Sequence, residues 1–334
     1  MGASLKDIAK ELRISTTTVS WVLSNQGTQK RISKATQDKI LRCAAEMNYR
    51  PNLLARSLNT GRTGTIGLIL PSISDAFYSQ VAKAVETEAE KCGYTLMICS
   101  SESELERENR MIRMFKAKQV DGMIIAPTKY SKDEILQLQK ENYPFVLFDR
   151  YFEDMDTNYI LIDNEECSHD LVERLIKDGR KKIAIILTNP HLKIMSLRYE
   201  GYKRALMESD LEINADLLGV VEFSKFENDI EPLVARMLEK NPDIDAFFFS
   251  THILAINTFE YLKSQNIDLN RFGFACFHEV REFRLFLPNM KIARMPVEEI
   301  GTNAVRILHD NIQKNRNKEK FVPQSMIIKC QMCE

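Results

Sequence analysis

Short apolar runs rich in β-branched and aromatic residues alternate with helical segments over most of this 334-residue chain. Nine such runs follow one another from residue 65 onward: TIGLIL, TLMICS, GMIIAP, PFVLFD, KIAIIL, LLGVVE, DAFFFS, FGFACF and KIARM. Apolar residues recur at helical spacing between these runs, at 77–92, 104–117, 164–178, 196–209, 226–240 and 296–313. Repeated strand–helix–strand units predict parallel sheets covered by helices on both faces. Nine strands are too many for one small sheet, so we predict two lobes.

Charge is distributed unevenly along the chain. Residues 1–63 hold 11 Lys and Arg against 4 Asp and Glu, a formal charge of +7, which leaves −8 on the remainder of a chain whose total is −1. The basic segment is therefore the candidate contact for an anionic partner. The N-terminus lacks an apolar signal segment and no stretch approaches 18 apolar residues. These features predict a cytoplasmic protein.

The seven cysteines are odd in number and scattered through apolar runs. This distribution is typical of reduced thiols rather than of a disulfide framework. Cys330 and Cys333 have the CxxC spacing of metal and redox sites, but no second pair of ligands lies near them in the sequence. We therefore predict neither a metal nor a cofactor.

Two short helices are predicted at the start of the basic segment. The first follows a capping box at 4–7, and its apolar residues, at i, i+3, i+4 and i+7, are Leu5, Ile8, Ala9 and Leu12. The second begins near Ser15 and turns its valines and Leu23 inward. Its outer side carries Thr16, Thr17, Ser20, Trp21 and Ser24. Trp21, the only tryptophan, therefore points away from the predicted core.

A third helix is predicted from Ser33 to about Asn48. Pro51 ends it, because the residue before a proline avoids the helical conformation. Three small helices with a tight turn between the first two form a helix-turn-helix domain. In such domains the second helix lies in the major groove of DNA. We therefore predict a small all-α DNA-binding domain.

The segments LKDIAKELRISTTTVSWVLS, ISKATQDKI and YRPNLLARSL resemble the LacI family of bacterial transcription regulators over residues 4–61. The resemblance implies a helix-turn-helix headpiece at 1–50, a hinge helix and linker at 51–63, and an effector-binding and dimerisation domain at 64–334. The last would be an α/β two-lobed, periplasmic-binding-protein-like domain with parallel sheets. Its implied lobes are about 65–162 with 291–319, and about 163–290 with 320–334.

The resemblance also implies partners. We expect a homodimer that binds a pseudo-palindromic double-stranded operator and represses a carbohydrate-utilisation operon under the control of a small molecule. The chain ends directly after the run SMIIKC, which leaves no room for a C-terminal heptad tail, so a dimer is favoured over a tetramer. The sign of the effector response stays open.

The resemblance implies DNA-contacting roles for several residues. On and near the second helix they are Ser4, Thr16, Thr17, Thr18, Ser20 and Trp21, with base reading assigned to the first two threonines. In the hinge, Asn52 is a candidate N-cap, and Leu58 takes the position that wedges into the minor groove beside Arg56. An ordinary interdomain linker is the alternative for this hinge.

Three features depart from the family pattern. Trp21 stands where the family usually has an arginine, whose pairing with guanine contributes about 1–3 kcal/mol of discrimination. An indole has one donor and an apolar face, so we predict packing on a thymine methyl or sugar and no dependence on that guanine. The alternative is that Trp21 is an extra core residue. Arg13 replaces the turn glycine, for which we expect another backbone route, and the loop after the second helix is longer and more basic.

For the cleft between the lobes, the resemblance implies effector contacts from Asp75, Phe77, Asp149, Arg198, His252 and His278. The two histidines stand where saccharide-binding members often have acidic residues, so an acidic sugar or phosphate is a variant of the expected saccharide-like ligand. The alternatives are a lobe–lobe ion pair for Arg198, a core position for Phe77 and surface positions for the histidines.

Two other classes of protein compete with the regulator. A solute-binding protein of a transport system shares the two-lobed fold, but it needs a signal peptide and has no use for a basic helix-turn-helix. An enzyme on a similar sheet is disfavoured because the sequence has no GxGxxG after a strand, no P-loop, no GxSxG elbow and no HExxH. We therefore predict a non-enzymatic DNA-binding regulator.

Overall fold

The computed structural model describes residues 3–49, 61–188, 192–222, 226–317, 319 and 322–333. The chain divides into two compact units, Met1–Thr63 and Gly64–Glu334. The predicted hinge residues Asn52, Arg56 and Leu58 lie outside the described residues. In the part of the chain that is described, no helix has both the length and the apolar character needed to cross a membrane.

Three helices form the first unit: α1 (Leu5–Leu12), α2 (Thr16–Leu23) and α3 (Lys34–Glu46). Each begins after a serine, Ser4, Ser15 or Ser33, whose hydroxyl accepts a hydrogen bond from the backbone three residues on. The predicted capping box is confirmed, since the Asp7 carboxylate also accepts from the Ser4 N–H at 2.8 Å. Inward-facing residues from all three helices make one small core: Ile8, Ala9, Val19, Val22, Ile40, Cys43 and Ala44.

The turn between α1 and α2 is made by Arg13 itself. Its backbone is left-handed, with φ 54° and ψ 43°, and the following Ile14 N–H donates to the Ala9 carbonyl at 3.0 Å. We expected the turn to use a backbone conformation other than that of the family's glycine, and this expectation is wrong. Arg13 has a Cβ but takes the left-handed conformation that glycine adopts without strain. Since left-handed geometry costs about 1–2 kcal/mol for a residue with a Cβ, this turn is strained.

The second unit contains twelve strands among its described residues. They are β1 (Thr65–Leu70), β2 (Thr95–Ser100), β3 (Gly122–Ile125), β4 (Phe145–Phe148), β5 (Tyr159–Ile162), β6 (Ile183–Thr188), β7 (Leu218–Val221), β8 (Ala246–Phe249), β9 (Gly273–Phe277), β10 (Lys291–Arg294), β11 (Ser325–Ile328) and β12 (Gln331–Cys333). The lobe-one sheet has the order β11-β5-β4-β3-β1-β2, all parallel. The lobe-two sheet has the order β12-β10-β9-β8-β6-β7, parallel except for β12.

Nine helices among the described residues accompany these sheets. They are α4 (Ala76–Lys91), α5 (Leu105–Ala117), α6 (Lys132–Lys140), α7 (Asn164–Lys177), α8 (Lys193–Glu208), α9 (Phe226–Lys240), α10 (His252–Ser264), α11 (Arg281–Phe286) and α12 (Val297–Arg316). Successive strand side chains point to opposite faces, so Ile185 of β6 joins the core with α7 and α8, and Ile186 joins the core with α9 and α10. The inner strands β3, β4, β6 and β8 are buried on both faces, as their continuous apolar runs predict, whereas the edge strands β2 and β11 are partly exposed.

The assignment of chain segments to lobes needs correction at two places. Residues 291–294, expected in lobe one, form β10 between β9 and β12 in the lobe-two sheet. Residues 325–328, expected in lobe two, form β11 beside β5 in the lobe-one sheet. The chain therefore crosses between lobes at 163, at 295–296 and at 329–330. Both errors arise because apolar content marks a strand but does not say which sheet provides its partner.

Replacing Arg13 with glycine should stabilise the helix-turn-helix unit by about 1 kcal/mol, because glycine adopts the left-handed conformation without a Cβ penalty. Hydrogen exchange of the α1 and α2 amides in the full chain measures this, as slower exchange of the most protected amides. As a matched control, Lys10→Gly in the last turn of α1 should accelerate exchange, since glycine costs about 1 kcal/mol in a helix. Faster exchange in Arg13→Gly would show that the turn is not strained.

Candidate effector cleft and nucleic-acid interface

A cavity of about 70 Å³ lies where the carboxyl ends of the two sheets face each other. Its lining residues lie at or just after the carboxyl ends of β1, β4, β6, β8, β9 and β10, and in the first turns of α8. The lining residues are Phe77, Tyr78, Asp149, Arg150, Thr188, Leu192, Ile194, Met195, Arg198, Thr251, His252, Phe277, His278 and Met295. The cavity is thus at the place where α/β sheets bind ligands. Five of the six predicted effector residues line it, and the sixth, Asp75, lies beside it.

Arg198 is the buried cation of this cavity, with 3% of its surface exposed. Its Nε donates to Asn164 Oδ1 at 2.8 Å, a terminal nitrogen donates to the Ser250 carbonyl, and the guanidinium lies 3.8 Å from the centroid of the Phe277 ring. Among the described residues these neutral groups, and no carboxylate, are its direct partners. The alternative of a lobe–lobe ion pair is therefore wrong within that part of the chain. Burial lowers the pKa of Arg198 from its ordinary value.

Asp149 and Arg150 form a charged cluster with Tyr78 on the lobe-one side. The Tyr78 hydroxyl donates to Asp149 Oδ2 at 2.7 Å, and Arg150 Nε lies 3.6 Å from the same oxygen. Burial raises the pKa of Tyr78 well above its ordinary value, so its hydroxyl stays protonated and keeps donating. Since Arg150 offsets the charge of Asp149, Arg198 remains the cation of the cavity without a neighbouring ion pair among the described residues.

The two predicted histidines are packed together and buried. Their ring centroids are 4.9 Å apart, and His252 and His278 are 6% and 5% exposed, so the alternative of surface positions is wrong. Burial lowers the pKa of both, that of His278 to about 3 with a further contribution from His252. Both imidazoles are therefore neutral near pH 7, and each offers one donor and one acceptor rather than a positive charge.

Four polar atoms of the residues that line the cavity have no hydrogen-bond partner among the described residues. Thr188 Oγ1, Thr251 Oγ1 and His278 Nε2 belong to lobe two, and Arg150 Nε, which lies 3.6 Å from Asp149 Oδ2, belongs to lobe one. Buried polar atoms are nearly always paired in folded proteins, because an unpaired one costs about 1–3 kcal/mol. The cavity thus presents hydroxyl and imidazole groups that a bound molecule is able to satisfy.

Asp75 has a structural task at the edge of the cavity. It is the N-cap of α4, where its Oδ1 accepts from Phe77 N at 2.8 Å and from Tyr78 N at 3.4 Å. Its other oxygen lies 4.0 Å from His252 Nε2. Phe77, which this cap positions, is 6% exposed and lies both in the core and on the cavity wall.

The predicted DNA-contacting residues of α2 divide into two groups. Thr16 and Thr17 are exposed, whereas Ser20 and Trp21 are half-buried. Lys30, in the basic loop after α2, places its Nζ 5.3 Å from the centroid of the Trp21 ring and makes a cation–π contact with it. The Ser4 and Thr18 hydroxyls are engaged in the caps of α1 and α2, at 2.7 Å from Asp7 Oδ2 and 2.8 Å from Ser15 Oγ.

The sequence reasoning missed several residues of the cavity. Tyr78 directly follows the predicted residue Phe77, and Arg150 directly follows the predicted residue Asp149. Their positions after strands were the signal that could have identified them. Thr188 and Thr251 end or follow predicted strands, and the same rule would have found them. No signal in the periodicity pointed to Met195, which faces the cavity from the first turn of α8.

A helix-turn-helix unit and a two-lobed domain with a polar cavity between its sheets define a ligand-responsive DNA-binding regulator. The model of bacterial regulatory proteins of the lacI family matches residues 4–52, and that of periplasmic binding proteins and sugar binding domain of LacI family matches residues 63–334. The chain belongs to the LacI family of bacterial regulatory proteins.

Characterised relatives agree with this assignment. The HTH-type transcriptional regulator RegA of Clostridium saccharobutylicum is 30% identical over 322 residues, which cover 96% of this chain and 95% of that protein. The ribose operon repressor of Halalkalibacterium halodurans is 30% identical and covers 93% and 91%. These relatives are regulators rather than enzymes, so the predicted family and non-enzymatic regulatory role are confirmed.

Solved structures share the fold. A lac repressor dimer bound to operator and the anti-inducer ONPF has a TM-score of 0.83 at 18% identity, covering 100% of this chain and 98% of that one. A complex of the transcriptional regulator CelR with cellobiose has a TM-score of 0.73 at 20% identity, covering 99% and 98%. The predicted fold class is thereby confirmed.

Acidification should destabilise the two-lobed domain partly through His278. Its pKa is about 3 in the folded chain and near 6.5 when unfolded, so the unfolded state binds more protons below pH 6.5. Above pH 6.5 the protonation of His278 does not affect the free energy of unfolding. As the pH falls from 6.5 toward 3, the free energy of unfolding decreases by about 1.4 kcal/mol per pH unit. Urea unfolding of wild type and His278→Asn between pH 7.5 and 4.5 measures it.

Asparagine suits this position because it tolerates the left-handed backbone of residue 278, where φ is 68°. The free-energy curve of the variant should be flatter than that of wild type over this interval. Curves of equal slope would show that His278 does not titrate between the folded and unfolded states.

Proposed function

We propose that this protein is a repressor whose operator affinity is switched by a neutral, hydroxylated ring compound, a saccharide or nucleoside, bound between the two lobes. It acts as a homodimer in the cytoplasm on a pseudo-palindromic operator, with 1–50 as the headpiece, 51–63 as the hinge and 64–334 as the effector domain. The observation that carries the proposal is the cavity between the sheets, where Arg198 lies with four buried polar atoms that have no hydrogen-bond partner among the described residues.

The ligand class follows from the chemistry of the walls. Arg198 donates, Asp149 accepts, and the neutral imidazole and threonine hydroxyls do either, a set that suits vicinal hydroxyl groups. Phe77 supplies an aromatic surface for the apolar side of a ring. Both histidines are neutral, so the charged groups at the cavity and its edge, among the described residues, are two cations, Arg150 and Arg198, and two carboxylates, Asp75 and Asp149, whose charges sum to zero. This balance favours a neutral compound over a phosphate or an acidic sugar.

The ribose operon repressor and the cellobiose complex among the similar proteins support a sugar-like ligand. The cavity of about 70 Å³ is smaller than the roughly 300–1,000 Å³ of typical small-molecule pockets. A ring compound therefore needs the lobes to separate or side chains to change rotamer. Ligand binding is thereby linked to the lobe arrangement, which is what a switch requires.

For the DNA side, we propose that exposed Thr16 and Thr17 contact base edges and that Trp21 packs on a thymine methyl or sugar. Trp21 is half-buried, and it is absent from the described core cluster of the headpiece, which favours a surface role over packing. Hydroxyl groups discriminate weakly between bases, so the Lys and Arg of the headpiece supply much of the affinity. In the hinge, Asn52, Arg56 and Leu58 keep the roles implied by the family.

Selection of sites from a random DNA pool, repeated with a panel of sugars, sugar phosphates and nucleosides, tests the proposal as a whole. A palindrome should be enriched in a manner that depends on one neutral ring compound. Enrichment that responds only to phosphorylated compounds would contradict the ligand class. No enrichment at low ionic strength under any condition would contradict DNA recognition itself.

Trp21→Arg should give the selected site a preference for guanine at one position of each half-site, worth about 1–3 kcal/mol, and Trp21→Ala should lose the wild-type preference there. Both variants should retain the circular dichroism and thermal unfolding of wild type. Val22→Ala, which alters the buried neighbour, shows how a packing defect differs. If Trp21→Ala melts like Val22→Ala, the tryptophan is a core residue.

Removing the Oγ1 hydroxyl of Thr188 or Thr251 should weaken effector binding without weakening the fold. Neither hydroxyl has a hydrogen-bond partner in the described chain, so Thr188→Val and Thr251→Val break no internal bond. Each should lower the affinity for the compound found by selection about 5- to 10-fold, the worth of one hydrogen bond. Calorimetric titration measures this change.

Thr258→Val is the matched control for both variants. Thr258 Oγ1 is likewise buried and without a partner among the described residues, but it lies on α10 and does not line the cavity. This variant should bind the compound as wild type does. Unchanged binding in both cavity variants would place the ligand elsewhere.

A further inference from the structure

Two cysteines and an aspartate converge where the chain crosses between the lobes. Asp163 lies in the first crossing, Cys167 is in the first turn of α7, and Cys330 follows β11 in the third crossing. One ligand atom from each, two sulfurs and a carboxylate oxygen, lie within 4.8 Å of one another. The partner of Cys330 is therefore Cys167, 163 positions earlier in the chain, rather than Cys333 of the CxxC pair.

Backbone contacts hold these three groups together. The Asp163 N–H donates to the Ile328 carbonyl at 3.2 Å, and the Cys330 N–H donates to Asp163 Oδ1 at 2.9 Å. The Cys167 N–H donates to the Asp163 carbonyl at 2.9 Å, as the first turn of α7 requires. Because these bonds connect the two crossings, the proximity of the three side chains is a property of the fold and not of flexible side chains.

The donor set matches the preference of a thiophilic divalent cation. Zn²⁺ binds thiolate sulfur at about 2.3 Å and carboxylate oxygen at about 2.0–2.2 Å in tetrahedral geometry, which separates ligand atoms by roughly 3.5–3.8 Å. The spacing within 4.8 Å allows this with small rotamer changes. The hydrogen bond from Cys330 N orients the carboxylate in the way that ligands of metal sites are usually oriented.

Access and charge also suit a cation. Cys167 is 1% exposed, but Asp163 and Cys330 are half-buried, so one side of the cluster is open for entry and for a water as fourth ligand. Two thiolates, one carboxylate and a divalent cation carry a net charge of −1. Arg198, which interacts electrostatically with both thiols, provides the compensating positive charge.

A reversible disulfide is the competing use of the same cysteines. Cys167 is 1% exposed, so an external oxidant or thiol has little access to its sulfur. The carboxylate of Asp163 contributes to a metal site and has no part in a disulfide.

We propose that Asp163, Cys167 and Cys330 form a binding site for a thiophilic divalent cation such as Zn²⁺, which joins the first and third crossings between the lobes. The site adjoins the cavity, because Asn164, the residue after Asp163, accepts the Nε hydrogen bond of Arg198. A bound cation therefore fixes the first turn of α7 and, through Asn164, the position of the guanidinium in the cavity.

Titration of the reduced, metal-free full-length protein with Co²⁺ tests the site. Wild type should develop a thiolate-to-cobalt charge-transfer absorption that saturates at about one equivalent and is displaced by Zn²⁺. Cys167→Ser and Cys330→Ser should lose this absorption, and Asp163→Asn should weaken the binding of cobalt at least 10-fold. The matched control, Cys333→Ser, alters the other cysteine of the CxxC pair, which lies in β12, and should behave as wild type.

Thermal unfolding gives a second measurement that does not depend on colour. Added Zn²⁺ should raise the Tm of wild type and of Cys333→Ser but not that of Cys330→Ser, because a ligand stabilises only the state that binds it. Cys330 is half-buried, so serine there tests the site even if Cys167→Ser fails to fold. The proposal is overturned if reduced wild type shows no charge-transfer absorption. It is equally overturned if Cys333→Ser loses that absorption, or if peroxide links Cys167 to Cys330 in a protein that binds no metal.

Discussion

The buried charge of Arg198 determines the character of the cavity between the lobes. A guanidinium out of contact with water is costly unless its hydrogens are accepted, and here a side-chain amide, a backbone carbonyl and an aromatic face accept them. Because Asn164 begins α7 and Ser250 directly follows β8, these bonds also fix the first crossing against the lobe-two sheet. The same charge further lowers the pKa of His278, which keeps that imidazole neutral.

The two lobes place strained residues at equivalent positions. β4 and β9 occupy the same place in their sheets, and the residue that follows each, Asp149 or His278, has a left-handed backbone with φ 61° or 68°. For residues with a Cβ this costs about 1–2 kcal/mol, and such strain is concentrated at ligand sites. In both lobes the residue with this backbone lines the cavity.

The sequence predicted the elements better than their partners. All nine apolar runs form strands, because the inner strands of a parallel sheet are covered on both faces and need continuous apolar residues; the edge strand β2 is apolar as well, although it is partly exposed. Two short strands, β5 and β12, were not predicted, and the implied lobe boundaries exchanged 291–294 and 325–328 between the lobes. Five of the six predicted effector residues line the cavity, because the family resemblance identified the effector-contacting positions, most of which follow strands. Sequence periodicity does not predict that the Thr188 hydroxyl lacks a partner or that the Arg13 backbone is strained, because both features depend on the three-dimensional structure.

Ligand control of such a domain follows from where its polar groups lie. Thr188 Oγ1, Thr251 Oγ1 and His278 Nε2, which have no hydrogen-bond partner among the described residues, belong to lobe two, and the carboxylate of Asp149, held by Tyr78, belongs to lobe one. A compound that bonds to both sets binds well only when the lobes bring them within reach, and a ligand with equal affinity for both arrangements would shift nothing. A coupling of about 1–3 kcal/mol is sufficient for a switch, and two hydrogen bonds at about 1 kcal/mol each provide it. The charged cavity thus supplies the differential affinity that regulation requires.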